Sequence, residues 1–162
     1  MKLRQRSYEG IPRMLGKLFC ALSKALGGCQ LDPLLTIKPI GTIDLHEMSS
    51  ILLDKLEEMG DAQAEIYLPD NFCKVYDKEE VKRFLHLDET DKIPYVREEF
   101  DCDDFTAKLF EKFAGLVWTN VHALNWFVDR EKTLWFIEPQ QDKIAKDLEN
   151  WQGYEIQFFL GR

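Results

Sequence analysis

The 162-residue chain is poor in the residues that build most metal centres, with only 3 histidines and 4 cysteines. Cys20, Cys29, Cys73 and Cys102 stand too far apart to form a Cys-x-x-Cys pair, which excludes a zinc ribbon. No apolar run approaches the roughly 18–20 residues of a membrane span. Internal repeats and low-complexity tracts are absent, which excludes a solenoid. Positive charge is in deficit: 21 Lys and Arg face 29 Asp and Glu, for a net charge of −8. That balance argues against a nucleic-acid partner. Lys17 and Lys24 break up the apolar residues near the N-terminus, so no signal-peptide core is evident. Unpaired thiols then predict a reducing cytoplasm.

What is present is enough for one main domain. The chain is 45% hydrophobic and 12% aromatic, and at this size about two-thirds of the unfolded surface can be buried without a disulfide or metal. Charge and punctuation divide it into 1–41 and 42–162. Residues 1–24 hold Lys2, Arg4, Arg6, Arg13, Lys17 and Lys24 against Glu9 alone, and Gly27, Gly28, Pro33, Pro39 and Gly41 follow. Pro12 suits a first helical position, and Met14, Leu15, Leu18, Phe19, Leu22 and Leu26 make one apolar stripe, so a helix is expected over 12–26. A basic amphipathic helix suits an anionic membrane or a partner groove. Docking on the acidic body of the same chain, or of a second copy, is the favoured reading, because such stripes most often face a core.

Periodicity predicts a helix over 44–59 ended by Gly60, a strand over 65–68, and a helix after Asp77 that buries Val81, Phe84 and Leu85. Another helix opens at Asp101-Cys102-Asp103-Asp104-Phe105. Strands are expected over 117–128 and 133–138 around the polar turn Asp129–Lys132. Then come a helix carrying Ile144, Leu148 and Trp151 and a last strand from Tyr154 to Leu160. The mixture is α+β, with a helix bearing Cys102 packed on a small antiparallel sheet.

Cys102 in the first turn of its helix sits where the dipole favours a thiolate. A nucleophilic cysteine also needs a base and a group to orient that base. His122 is the only histidine downstream of Cys102. With a three-residue loop at 129–131, Val128 faces Lys132 and His122 faces Glu138. With a loop one residue shorter or longer the two remain diagonal neighbours. Cys102, His122 and Glu138 are therefore the candidate catalytic residues. Taken singly, each also suits an ordinary structural role.

The order of motifs adds to this. Tyr76-Asp77-Lys78-Glu79-Glu80-Val81, then Phe100-Asp101-Cys102-Asp103-Asp104-Phe105, then His122-Ala123-Leu124-Asn125-Trp126, then Ile137-Glu138-Pro139-Gln140 resembles the lectin-like, agglutinin C-terminal family. The likeness covers about residues 65–160. It implies a papain-like fold, a Cys–His–Glu triad on Cys102, His122 and Glu138, a divalent-cation requirement met by calcium, and a bacterial or phage-infected host. The family's sugar-binding module has no counterpart in residues 1–64. The short segment from Cys102 to His122 implies a shallow cleft, and the oxyanion donors would be the Cys102 N–H with Arg97 or Tyr95.

Glu98, Glu99, Asp101, Asp103 and Asp104 crowd Cys102 with carboxylates, which oppose thiolate formation. A bound Ca2+ would offset them, with Asp103, Asp104, Gln140 and Asp142 as candidate ligands if the segment after Glu138 returns near Cys102. The same cluster also reads as a solvated helix start favoured by the dipole. The expected activity is that of a cysteine peptidase or amidase acting on a peptide or amide substrate. The alternatives are a cell-wall amidase or endopeptidase and a non-catalytic binding or structural module that kept the fold.

Overall fold

Each helix begins where a short acidic side chain can satisfy free backbone N–H groups. The computed structural model describes residues 35–60, 63–153 and 155–162; the helix expected over 12–26 lies outside them. Helix α1 (Leu45–Met59) starts on Asp44, whose carboxylate accepts from Glu47 N at 2.9 Å, and ends on Gly60 at φ 73°. Helix α2 (Lys78–Leu87) starts on Asp77, which accepts from Glu79 N and Glu80 N. Helix α3 (Cys102–Lys112) follows Asp101. Among the described residues no helix is long and apolar enough to cross a membrane.

A six-stranded sheet forms the centre. Its strands are β2 (Glu65–Tyr67), β4 (Gly115–Thr119), β5 (Ala123–Val128), β6 (Leu134–Glu138), β7 (Lys143–Ala145) and β8 (Ile156–Leu160), in the order β2-β8-β4-β5-β6-β7. All pairs are antiparallel except β2 with β8. A separate antiparallel pair joins β1 (Gly41–Asp44) to β3 (Phe72–Val75). Strand β5 is central and buried along its whole length, and its side chains alternate between two cores. Leu124, Trp126 and Val128 face Met48, Leu52 and Leu56 of α1. Phe127 faces Val81, Phe84 and Leu85 of α2 and Leu109 of α3. Each of these buried apolar side chains contributes roughly 1.5–3 kcal/mol. The fold is α+β, with the helix that carries Cys102 laid on an antiparallel sheet.

Three expectations need correction. The run 117–128 is two strands, because a turn at Asn120–His122 folds it back on itself. Thr119 Oγ1 accepts from Val121 N and His122 N there, and Trp118 pairs with Ala123. The loop between β5 and β6 is longer than three residues: Val128 pairs with Leu134, not Lys132. The buried Asp129 carboxylate organises that loop by accepting from Glu131 N, Thr133 N and Trp135 Nε1. The expected helix through Ile144, Leu148 and Trp151 does not form. Ile144 pairs with Ile137 as an edge strand, Leu148 packs on the α1 core, and Trp151 lies in a short 3-10 turn, Asn150–Gln152. The helical spacing was overridden because the open edge of β6 takes a partner strand. Strands β1 and β3 were not anticipated.

The Asp129 cluster makes a direct prediction. Asp129→Ala leaves three donors without their acceptor and should cost about 2–4 kcal/mol, since hydrogen bonds to a charged acceptor are the stronger kind. A thermal melt should show the midpoint falling by about 5–10 °C. Asp129→Asn, which keeps one carbonyl oxygen for the turn, should fall by less.

Candidate active site

Three local features converge at the N-terminal end of β5. Helix α3 brings Cys102 as its first residue, the turn after β4 brings His122, and the end of β6 brings Glu138. His122 Nε2 lies 2.8 Å from Glu138 Oε2, and both side chains are buried. The longer loop shifts the register by two residues from the expected one, and the pair meets diagonally, not face to face. Glu138 is 2% exposed. Its charge is met by further donors: Gln152 Nε2 at 2.9 Å on Oε2 and Gln140 N at 3.3 Å on Oε1. Thr119 holds the histidine backbone, accepting from His122 N at 2.9 Å and approaching His122 O at 3.0 Å. The indole of Trp151 lies against the imidazole, with ring centroids 5.1 Å apart, and stays half exposed.

The thiol is half-buried and lies beside the backbone N–H of Ala123, the residue after His122. Among the described residues no hydrogen bond joins Cys102 Sγ to the imidazole. With Nε2 committed to Glu138, Nδ1 is the nitrogen left for the thiol. Burial pushes the Cys102 thiol up, the Ala123 N–H pulls it down, and the charges of Asp101 and Asp103 push it up again. The direction is the one expected from the acidic surroundings, although burial is the larger cause. Cys73 is also pushed up, by burial first and by Asp70 second.

The four candidate cation ligands fall into separate places. Asp104 caps its own helix, its Oδ2 accepting from Asp101 N at 3.1 Å. Asp103 hydrogen-bonds to the Asp101 carboxylate, which holds Asp101 low and Asp103 high. Gln140 offers its backbone N–H to Glu138. Asp142 sits among Asp88, Asp91 and Lys92. Among the described residues, the Asp, Glu, His and Cys ligand atoms that come within 4.8 Å of one another in a group of three are those of Asp101, Cys102 and Asp103. The expected quartet fails because β6 and β7 are joined by a tight turn in which Asp142 adopts φ 53°. Of the expected oxyanion donors, Arg97 pairs with Glu98 on the surface and Tyr95 is exposed.

Two solved structures resemble this fold. One is a PSL1a–E64 complex, 26% identical, with a TM-score of 0.57, covering 74% of this chain and 50% of that one. The other is a Polyporus squamosus lectin bound to the human-type influenza-binding epitope Neu5Aca2-6Galb1-4GlcNAc, 23% identical, with a TM-score of 0.52, covering 72% and 49%. The chain thus spans about half the length of these lectin structures. No family model and no curated protein matches it. The lectin-like relationship of the fold agrees with the resemblance read from the motifs.

Sequence reasoning missed Thr119 and Gln152 and placed Trp151 on a helix. Asn120 marks a turn, and that signal could have broken the 117–128 run. Nothing local to Gln152 points at Glu138, because the contact is made only by the fold.

Asp142 gives a prediction about pH. Burial first, then the charges of Asp91 and Asp88, push its carboxyl up to about 7. The folded state therefore holds this proton more tightly than the unfolded chain, whose Asp ionises near 3.9. The stabilisation is fully present below about pH 4 and is lost as pH rises through about 7. Asp142→Asn should melt higher than the parent at pH 8, with the two curves converging near pH 4. Melting midpoints across that range check this.

Proposed function

We propose that residues 42–162 form a papain-like cysteine hydrolase domain acting on a peptide or amide, with Cys102 as nucleophile, His122 as base and acid, and Glu138 as the group that orients the base. The observation that carries the reading is the buried 2.8 Å contact between His122 Nε2 and Glu138 Oε2 beside a thiol at a helix start. It leaves Nδ1 to exchange a proton with the sulfur. Cys102 Sγ attacks the amide carbonyl carbon as its proton passes to Nδ1. The Cys102 N–H, at the open start of α3, stabilises the resulting oxyanion. The C–N bond then breaks, Nδ1 returns the proton to the leaving amine, and water cleaves the thioester by the reverse use of the same groups.

PSL1a has been captured with E64, an epoxysuccinyl compound that alkylates thiols. The same reagent serves as a test. The sulfur opens the epoxide, the C–O bond breaks, and the alkoxide takes up the proton held by His122. Peptide mapping of the full chain should show Cys102 modified at least about tenfold faster than Cys73. His122→Ala should remove that preference. Labelling with no preference for Cys102 would end the hydrolase reading.

A second reading is a binding or structural module that retained the fold. It is favoured by the lectin neighbours and by a thiol that is pushed up and not bonded to the imidazole. We place any divalent-cation dependence at the Asp101–Asp103 pair, where an ion would sit between the two carboxylates and offset the charge beside the thiol. Labelling of Cys102 should then quicken with millimolar Ca2+ in the parent and in Asp142→Asn but not in Asp103→Asn. A parent rate indifferent to calcium and to chelator removes the cation from the proposal.

A further inference from the structure

We infer that Gln152 is a positioning residue for the imidazole. Its side-chain amide fixes Glu138 Oε2 as an acceptor and so holds His122 with its proton on Nε2 and with Nδ1 open. The effect on catalysis rests on the hydrolase reading above; the effect on the imidazole does not.

The orientation of the Gln152 amide is fixed at both ends. Gln152 is 5% exposed. Its Nε2 donates to Glu138 Oε2 at 2.9 Å, and its Oε1 accepts from Glu149 N at 2.8 Å. Turning the amide over would set its oxygen against a carboxylate and its NH2 against an N–H, so both ends fix the same orientation. The backbone is tied as well. Gln152 O accepts from Thr119 Oγ1 at 2.6 Å, and that hydroxyl accepts from His122 N. A closed ring results: Glu138 to His122, His122 to Thr119, Thr119 to Gln152, and Gln152 back to Glu138. All four residues are at least nine-tenths buried.

The ring has a chemical consequence. Glu138 Oε2 takes one donor from the imidazole and one from the amide, while Oε1 faces Gln140 N. With the Gln152 amide donating to it, Oε2 stands as an acceptor toward the ring, which assigns the proton of the neutral imidazole to Nε2 and leaves the lone pair on Nδ1. The ring also docks the segment 149–152, placing Trp151 against the outer face of the imidazole. Gln152 touches neither the thiol nor a substrate position, so it acts through Glu138 and His122.

The test reads the imidazole directly. In the 15N-labelled full chain at pH 7.5, long-range 1H–15N spectra of His122 should show one tautomer, protonated on Nε2, with a slowly exchanging proton. Gln152→Ala should give mixed tautomers and faster exchange of that proton, by about tenfold or more. Gln152→Glu keeps the size and the backbone link to Thr119 but adds a second carboxylate, and should drive the ring to the doubly protonated form. A purely structural role would give both variants the same signature. E64 labelling of Cys102 should lose about tenfold in its saturating rate in Gln152→Ala with the half-saturating concentration little changed. If Gln152→Ala does not fold, the spectrum of Gln152→Glu decides alone. A parent-like tautomer in whichever variant is folded overturns the proposal. Altered tautomers with no preferred labelling of Cys102 in the parent would sink the hydrolase reading and leave the positioning role standing.

Discussion

The interaction on which the site depends is the burial of the Glu138 carboxylate. A carboxylate removed from water costs several kcal/mol unless its lone pairs are met by donors. At 2% exposure, Glu138 is met by the His122 ring, the Gln152 amide and the Gln140 N–H. Each donor is brought by a different stretch: the turn after β4, the 3-10 turn before β8, and the turn after β6. Those three stretches are irregular, and loops of that kind ordinarily have freedom to move. Here a common buried acceptor, the Glu138 side chain, ties them together. The sheet supplies the platform, and the shared hydrogen bonds to Glu138 fix how the loops sit on its end.

Much of the fold was legible because local signals and the final packing agreed. Asp44 with Gly60 bounded α1, and Asp77 with the Val81, Phe84, Leu85 stripe defined α2. The errors lie where two periodicities compete. Ile144, Leu148 and Trp151 have helical spacing, yet the open edge of β6 recruited Lys143–Ala145 as a strand and sent the three side chains to different surroundings. The run from Val117 to Val128 is apolar enough for one long strand. Apart from Asn120, the fold-back shows only in the Thr119 hydroxyl, which accepts from Val121 N and His122 N. Such contacts carry no composition signal.

The candidate site was legible for a sturdier reason. Side chains on one face of a strand recur every two residues, so a register error of two preserves the face. The loop after Asp129 is longer than expected, and the shift it causes is two residues. His122 and Glu138 thus stayed on one side of the sheet and within reach diagonally. An error of one residue would have put them on opposite faces, so the expected tolerance of the pair to a loop one residue shorter or longer does not hold. The cation ligands had no such protection. Their placement assumed that a turn returns toward Cys102, whereas the left-handed backbone at Asp142 turns it toward Asp88 and Asp91.

The start of α3 holds opposing electrostatic effects. The helix N-terminus and the N–H groups of Ala123 and Asp103 favour a thiolate, while burial and the charges of Asp101 and Asp103 oppose it. The opposing side prevails, so Cys102 is pushed up. The sulfur lies beside the backbone N–H of Ala123, and among the described residues no hydrogen bond joins it to the imidazole. In the proposed hydrolase the nucleophile would lose its proton as it attacks, and the imidazole could take that proton only through an Nδ1 left open by the contact of Nε2 with Glu138. The crowded thiol and the buried dyad would then be parts of one arrangement, in which the contact that holds the ring also chooses the nitrogen that faces the thiol.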